Sequence, residues 1–307
     1  MNLHVSKKII FFLISPLLIL ALADFCQKKT KGFRAYKITK TQSQEIDSAF
    51  FVENSSDISS ILETPFHYYT KGKSSYVFLS QDGNYVLKFF QSPAITAPYW
   101  TSWKLFHFFI PSTCNELITQ KQARKNLQFT SYKKAFTQLK EQTGLIYLHL
   151  TTSSNLKNKI TLYDNIGVKH ALIADETAFI LQKKAEAFCP YFEKLLQDPE
   201  KSKEWITRFA LLMQDRALKK IQDKDISPRY NLGVLGDSLV PFDVDSLREV
   251  DPSLSTFDHM RQDAKKMRVW LRSKNPKYAL FLEEELVRLH QELEINQSSL
   301  LQEPPLQ

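Results

Sequence analysis

The stretch Ile221 to Leu247, IQDKDISPRYNLGVLGDSLVPFDVDSL, holds the residue types and spacings with the most chemical content. Asp223 and Asp225 follow a mainly apolar helical pattern, Asn231 opens a short strand, and Asp243 closes that strand's hairpin partner. This order can deliver carboxylates and an amide to one pocket. Phosphoryl transfer uses such a set: one carboxylate orients the attacking hydroxyl, while an Asn and a second Asp hold the metal that bridges the phosphates. Asp243, between Phe242 and Val244, is the hardest to dismiss, because a carboxylate in a buried strand is costly unless paired or metal-bound. Asp225 has a plainer alternative as the cap of the turn before Pro228, and Asn231 as a partner for loop backbone.

The elements that would position these residues follow from periodicity. His67 to Phe90 alternates around β-branched and aromatic residues, and Asp82-Gly83 marks a hairpin. Cys114 to Thr143 is a helix with Phe129, Tyr132, Phe136 and Leu139 on one stripe, basic residues elsewhere and Gly144 as its C-cap. Leu145–Leu150, Ile160–Tyr163 and Thr177–Gln182 read as strands. Beyond Lys184 the pattern turns helical, over Ala185–Leu196 and Ser202–Ile221. Apolar residues cover most of the circumference of the second helix, which predicts burial. A strand pair, Leu232–Leu235 and Leu239–Phe242, turns at Gly236-Asp237. Helices over Phe257–Ser273 and Pro276–Ile295 complete the chain, with Leu282, Leu286, Leu289 and Leu293 read as core packing. The fold class is therefore α+β, strand-rich first and helical afterwards.

In this order the motifs resemble the protein-kinase-like fold over about residues 65–270. The likeness includes its aminoglycoside-phosphotransferase branch and is greater to kinase-like proteins of chlamydia-type bacteria. The resemblance implies a two-lobed molecule, with an N-lobe over 61–184 and a helical C-lobe over 185–296. Tyr85-Val-Leu-Lys88 is similar to the family's strand lysine, which pairs with nucleotide phosphates. Thr70-Lys-Gly72-Lys-Ser-Ser75-Tyr-Val77 stands where the phosphate-covering loop would be, so Gly72 and Ser75 are implied nucleotide contacts. Asp225 resembles the catalytic base, six residues before Asn231 where the family usually has five. Asn231 and Asp243 resemble the metal ligands. ATP with Mg²⁺ or Mn²⁺ is implied as cofactor. The competing reading of the same fold is a catalytically inactive pseudokinase or an exported interaction protein.

Composition narrows the alternatives. The 307 residues are 43% hydrophobic, enough for a sizeable core, and carry a net charge of +8, which favours anionic partners. The chain has 7 glycines, none in the pattern of a dinucleotide-binding or Walker loop. Its 3 cysteines form no C-x-x-C pair, its histidines lack ligand spacing, and nothing points to specific nucleic-acid binding.

Residues 1–23 have a basic start, an apolar run over 9–23 and a small-x-small end, the layout of a signal peptide or signal anchor. That run is short of the ~20 residues that span a bilayer comfortably. Lys28, Lys29, Lys31, Arg34, Lys37 and Lys40 follow it, a bias that would hold the remainder on the cytoplasmic side of an uncleaved anchor. The chain is thus expected to be membrane-associated through residues 9–23, or exported if the segment is cleaved. Residues 24–60 read as a polar stalk, 92–111 as an aromatic insertion and 297–307 as a flexible tail. A nucleotide is the implied partner, with a protein partner left open.

Overall fold

The computed structural model describes residues 15, 18–41, 48–92, 112–223 and 225–300. Most of the apolar run over 9–23 and the aromatic insertion, from residue 93 on, lie outside these. The chain divides into two compact units, residues 1–111 with His149–Leu181, and Ser112–Leu148 with Gln182–Gln307.

The first unit is built on the hairpins that the alternating pattern predicts. Strands β1 (Phe66–Lys71), β2 (Ser75–Ser80) and β3 (Tyr85–Phe90) are joined by short turns, and Asp82 accepts from the backbone N–H of Asn84 to fix the second turn. The unit resumes at His149, the last residue of β4 (Leu145–His149), and adds β5 (Lys159–Tyr163), β6 (Lys169–Ile173) and the first part of β7 (Phe179–Lys183). The strand order here is β7-β3-β2-β1-β5-β6, antiparallel between β1 and β2 and between β2 and β3, and parallel between β1 and β5. Phe33 packs edge-on to Tyr76 and Phe78, with centroids 5.0 and 5.3 Å apart, on one face of the sheet.

Phe33 belongs to the segment expected as a stalk, and its polarity conceals two anchors. Phe33 and Ile38 are buried. The Thr39 N–H donates to the Phe90 carbonyl at 2.9 Å and the Thr39 carbonyl accepts from the Ala178 N–H at 3.1 Å, so this stretch lies between the ends of β3 and β7. Ahead of it, residues 18–29 form a helix, α1, whose Leu18, Ile19, Leu20, Leu22 and Phe25 are 55–67% exposed. Among the described residues no helix is long and apolar enough to cross a membrane. Helix α2 (Ser59–Glu63) leads into β1.

The second unit opens with α3 (Ser112–Gln138) and α4 (Lys140–Thr143), one helical pattern broken at Leu139. It stops at Gly144, whose φ of +65° is the left-handed cap that a side chain would strain. The short β8 (Glu186–Ala187) precedes α5 (Phe188–Leu195) and α6 (Pro199–Leu218). The Asp198 side chain caps α6 by accepting from the Lys201 N–H, with Pro199 in its first turn. Strands β9 (Ile221–Asp223), β10 (Leu232–Leu235), β11 (Ser238–Pro241) and β12 (Leu247–Glu249) make two small sheets, β11-β10-β8 and β12-β9. Helices α7 (Thr256–Asp263) and α8 (Lys265–Lys274) divide the single helix expected over Phe257–Ser273, and α9 (Pro276–Leu300) runs beyond Ile295 into the expected tail. Leu282, Leu286 and Leu289 are buried against Phe192, Trp205, Phe209 and Trp270, so the leucine stripe is core packing.

Gly233 sits where β10 passes closest to its neighbours: a Cβ there would lie 2.8 Å from both the Ala185 Cβ and the Glu186 carbonyl oxygen. The backbone oxygen cannot swing aside as a flexible side chain can. Gly233→Ala should therefore cost about 2 kcal/mol or more, read by chemical denaturation. Unchanged stability would show that this sheet edge yields freely.

Candidate functional site

Helix α6 positions the second unit's polar centre. Nearly all its inward residues are apolar, but Arg216 is also fully buried, and its Nη1 lies 3.4 Å from Oδ2 of Asp223, itself fully buried. The chain reverses at Lys220, whose φ is +54°, so that β9 presents Asp223 to Arg216. The Asp223 carboxylate also accepts from the Asp225 N–H at 3.0 Å and from the Ser246 hydroxyl at 2.6 Å. Its backbone N–H donates to Oδ2 of Asp263 at 3.3 Å. One buried carboxylate thus binds the loop after β9, the loop before β12 and the end of α6.

Those two loops carry the residues with phosphoryl-transfer potential. The Asn231 side-chain amide donates to the Asp225 carbonyl, its N–H donates to the Ser227 carbonyl at 2.9 Å, and its carbonyl accepts from the Phe242 N–H at 3.0 Å. Leu232 pairs with Pro241, so Asn231 and Asp243 stand at the same open end of the β10–β11 hairpin. Oδ1 of Asp243 accepts from the Tyr132 hydroxyl at 3.1 Å. The adjacent Ser131 hydroxyl donates to the Val244 carbonyl and accepts from the Leu247 N–H at 2.8 Å. Burial, and then the charges of Asp243 and Asp245, raise the Tyr132 hydroxyl well above its ordinary pKa, so it remains a donor. The Asp225 carboxylate is 61% exposed and ion-paired with Lys266. It does not cap the turn before Pro228; the loop is held by its backbone carbonyl and by Asn231.

In the first unit, Lys88 is 6% exposed. Val86 to Phe90 are all buried, so β3 has no solvent face for the lysine. Register pairs Val77 with Lys88 and Ser75 with Phe90, which places Ser75, Val77 and Lys88 on one face of the sheet. Gly72 heads the β1–β2 turn, donating its N–H to the Ser75 carbonyl at 2.8 Å and accepting from the Gln91 side chain at 3.2 Å. The candidate residues therefore form two groups, Gly72, Ser75 and Lys88 in one unit and Asp225, Asn231 and Asp243 in the other.

Periodicity alone misses three members of the second group. Tyr132 reads as one of an apolar stripe, yet a buried tyrosine hydroxyl needs a polar partner. Arg216 is the one cation of α6 on its buried side, the others being Lys201, Lys203 and Arg208, and a buried cation is a sign of a buried acid elsewhere in the chain. Ser131 carries no signal, since its partners are backbone groups more than a hundred residues away.

Removing the guanidinium leaves Asp223 buried beside an apolar gap. Arg216→Met should cost roughly 3–5 kcal/mol, and pairing it with Asp223→Asn should recover part of the loss. Urea denaturation of the two variants and the parent reads both numbers. An Arg216→Met protein of parental stability would mean that Asp223 needs no counter-charge.

No family model and no curated protein matches the chain. Among solved structures, a medium-resolution structure of the bifunctional kinase-methyltransferase WbdD aligns at 12% identity and a TM-score of 0.37, covering 71% of this chain and 43% of that one. A co-crystal structure of WbdD with the kinase inhibitor LY294002 aligns at 11% identity and 0.37, covering 73% and 45%. A 2.2 Å structure of WbdD aligns at 13% identity and 0.35, again covering 73% and 45%. The chain spans less than half the length of these proteins.

Proposed function

We infer that the protein is a kinase-like phosphotransferase using ATP with Mg²⁺ or Mn²⁺. Its motif spacing suggests the aminoglycoside-phosphotransferase branch and relatives in chlamydia-type bacteria. The observation that carries this reading is the shared end of the β10–β11 hairpin. There Asn231 spends its amide N–H on the Asp225 carbonyl and Asp243 spends Oδ1 on Tyr132. Each keeps one oxygen available, and Mg²⁺ takes oxygen donors, with the remainder from water and substrate phosphates. Among the described residues no group of three or more His, Cys, Asp or Glu could hold a metal by itself, so a cation here would depend on nucleotide oxygens. Once bound, the metal would neutralise charge on the phosphates.

The protein's own groups divide the remaining work. Lys88, with Gly72 and Ser75 beside the same turn, would hold nucleotide phosphates. Asp225 would accept the acceptor's proton on the oxygen not engaged by Lys266. The acceptor oxygen forms a bond to the γ-phosphorus as the bond from that phosphorus to the bridging oxygen breaks, and ADP leaves. The exposed apolar side chains of α1 suit lipid, so the same reading attaches the protein to a membrane through residues 9–23.

ATP with Mg²⁺ at a hundredfold excess over Kd should stabilise the full chain by about 2.7 kcal/mol, seen as a rise in Tm. EDTA or Asp243→Asn should remove the metal-dependent part. Absence of a shift with ATP, ADP or GTP would sink the reading. Asp225→Asn should lower turnover by at least about a hundredfold with nucleotide affinity unchanged. A parental rate would instead assign Asp225 to structure. Nucleotide binding with no transfer in the parent itself would favour the pseudokinase alternative.

The full chain should float with liposomes, and a variant lacking residues 1–23 should not. Equal flotation of the two would remove the membrane role of that segment.

A further inference from the structure

Ile226, the residue after Asp225, and Lys266, the ion-pair partner of Asp225, line a cavity of about 290 Å³ together with Asp223, Asp263, Arg248 and Lys265 and the amide side chains of Gln222 and Gln262. Its charge balance decides what can enter. The carboxylate of Asp223 is matched by buried Arg216, while Asp263 is buried and accepts from the Asp223 N–H at 3.3 Å, with the His259 ring 3.5 Å away. Gln222 is buried, donates to Gln262 and accepts from Nε of Arg248 at 2.9 Å, which fixes the guanidinium at the rim. Arg248 has no carboxylate within ion-pairing distance among the described residues, although its charge helps to hold Asp251 below the usual carboxylate range, after that group's hydrogen bonds to Ser253. Lys265 has no acidic partner there either, and Lys266 is shared with Asp225. Arg248, Lys265 and Lys266 therefore outnumber the two carboxylates that no arginine matches, exposed Asp225 and buried Asp263, beside the amides of Gln222 and Gln262. That arrangement attracts an oxyanion and repels an ammonium-bearing ligand.

We propose that this cavity binds the phosphate of a small hydroxyl-bearing acceptor, a sugar phosphate or its like, with a hydroxyl presented to Asp225. The assignment rests on the phosphotransferase reading above, and it fixes the sign of the acceptor's charge. The volume is at the lower end of small-molecule sites, ~300 Å³, so the bound part is about the size of one monosaccharide. Arg248 and Lys265 hold the phosphate, Gln262 offers an amide to ring hydroxyls, and Lys266 moves between Asp225 and the ligand.

Calorimetric titration of the full chain with glucose 6-phosphate, without nucleotide, tests this. Glucose 6-phosphate should bind at least tenfold more tightly than glucose. Lys265→Gln should weaken it about fivefold, and Arg248→Gln with Lys265→Gln about twenty-five-fold. Asp225→Asn should tighten it, because Lys266 is released to the anion. These opposite signs separate a binding role from a folding defect, which would weaken all variants alike. Glucose binding as well as its phosphate, affinity indifferent to Lys265→Gln, equal affinity for inorganic phosphate, or competitive displacement by ADP would each overturn the proposal. The last would make the cavity part of the nucleotide site. Failure of ATP to bind in a separate titration, with sugar-phosphate binding intact, would remove the kinase reading while leaving an anion site with the predicted signs.

Discussion

The buried ion pair between Arg216 and Asp223 is the constraint around which the second unit's polar centre is arranged. Taking both charges out of water costs several kcal/mol per ion, and their attraction returns about that much only when hydrogen bonds satisfy the remaining atoms. Asp223 meets this condition through the Asp225 N–H and the Ser246 hydroxyl. Arg216 meets it incompletely, since Nε and Nη2 lack partners among the described residues. A leucine and a methionine would fill this space at no greater energy. What an apolar pair would lack is direction: only a carboxylate with fixed lone pairs can hold two loops at once, one leading to Asp225 and one following Asp243.

The same logic explains the neighbouring helix. Ser131 and Tyr132 are consecutive residues of α3, and they clamp the segment after β11 at Val244 and Asp243 respectively. Consecutive helical positions point about 100° apart, so the segment must lie across the helix for both to reach it. Tyr132 fixes one oxygen of the Asp243 carboxylate, and with it the orientation of that side chain. In the first unit, β3 does comparable work by burial: the strand is covered along Val86 to Phe90, so Lys88 projects from a covered face of the sheet rather than from a solvated one.

The legible parts of the sequence were those in which one local rule decides the outcome. The Asp82-Gly83 turn, the Gly144 stop, the apolar girdle of α6 and the leucine stripe of α9 each follow from spacing and steric preference within a few residues. The single helix expected over Phe257–Ser273 breaks at Ala264, where no Gly or Pro marks a boundary and the last turn of α7 closes on Ala264. The polar composition around Phe33 and Ile38 hides their burial, because two apolar anchors are too few to set a periodicity. The candidate residues stand out in the sequence by type and spacing, whereas the groups that hold them do not. Ser131, Tyr132 and Arg216 act on partners placed by tertiary folding, and for Ser131 and Tyr132 sequence separation exceeds a hundred residues.

Asp225 and Asn231 stand six residues apart, one more than in the spacing they resemble, and the segment between them is compact. Residues 227–231 form a turn in which the N–H groups of Tyr230 and Asn231 both donate to the Ser227 carbonyl, at 3.3 and 2.9 Å. Arg229 and Tyr230 lie on its exposed side. A helical turn stores an added residue at a rise of about 1.5 Å, where an extended loop would be pushed outward by about 3.3 Å. The Asn231 amide consequently still reaches the Asp225 carbonyl, and Asp223 still holds the Asp225 N–H. With its backbone secured on both sides, Asp225 has only its side chain left to move. That side chain is ion-paired with Lys266, so the nearby cation, rather than the turn that follows, restrains where the carboxylate can point.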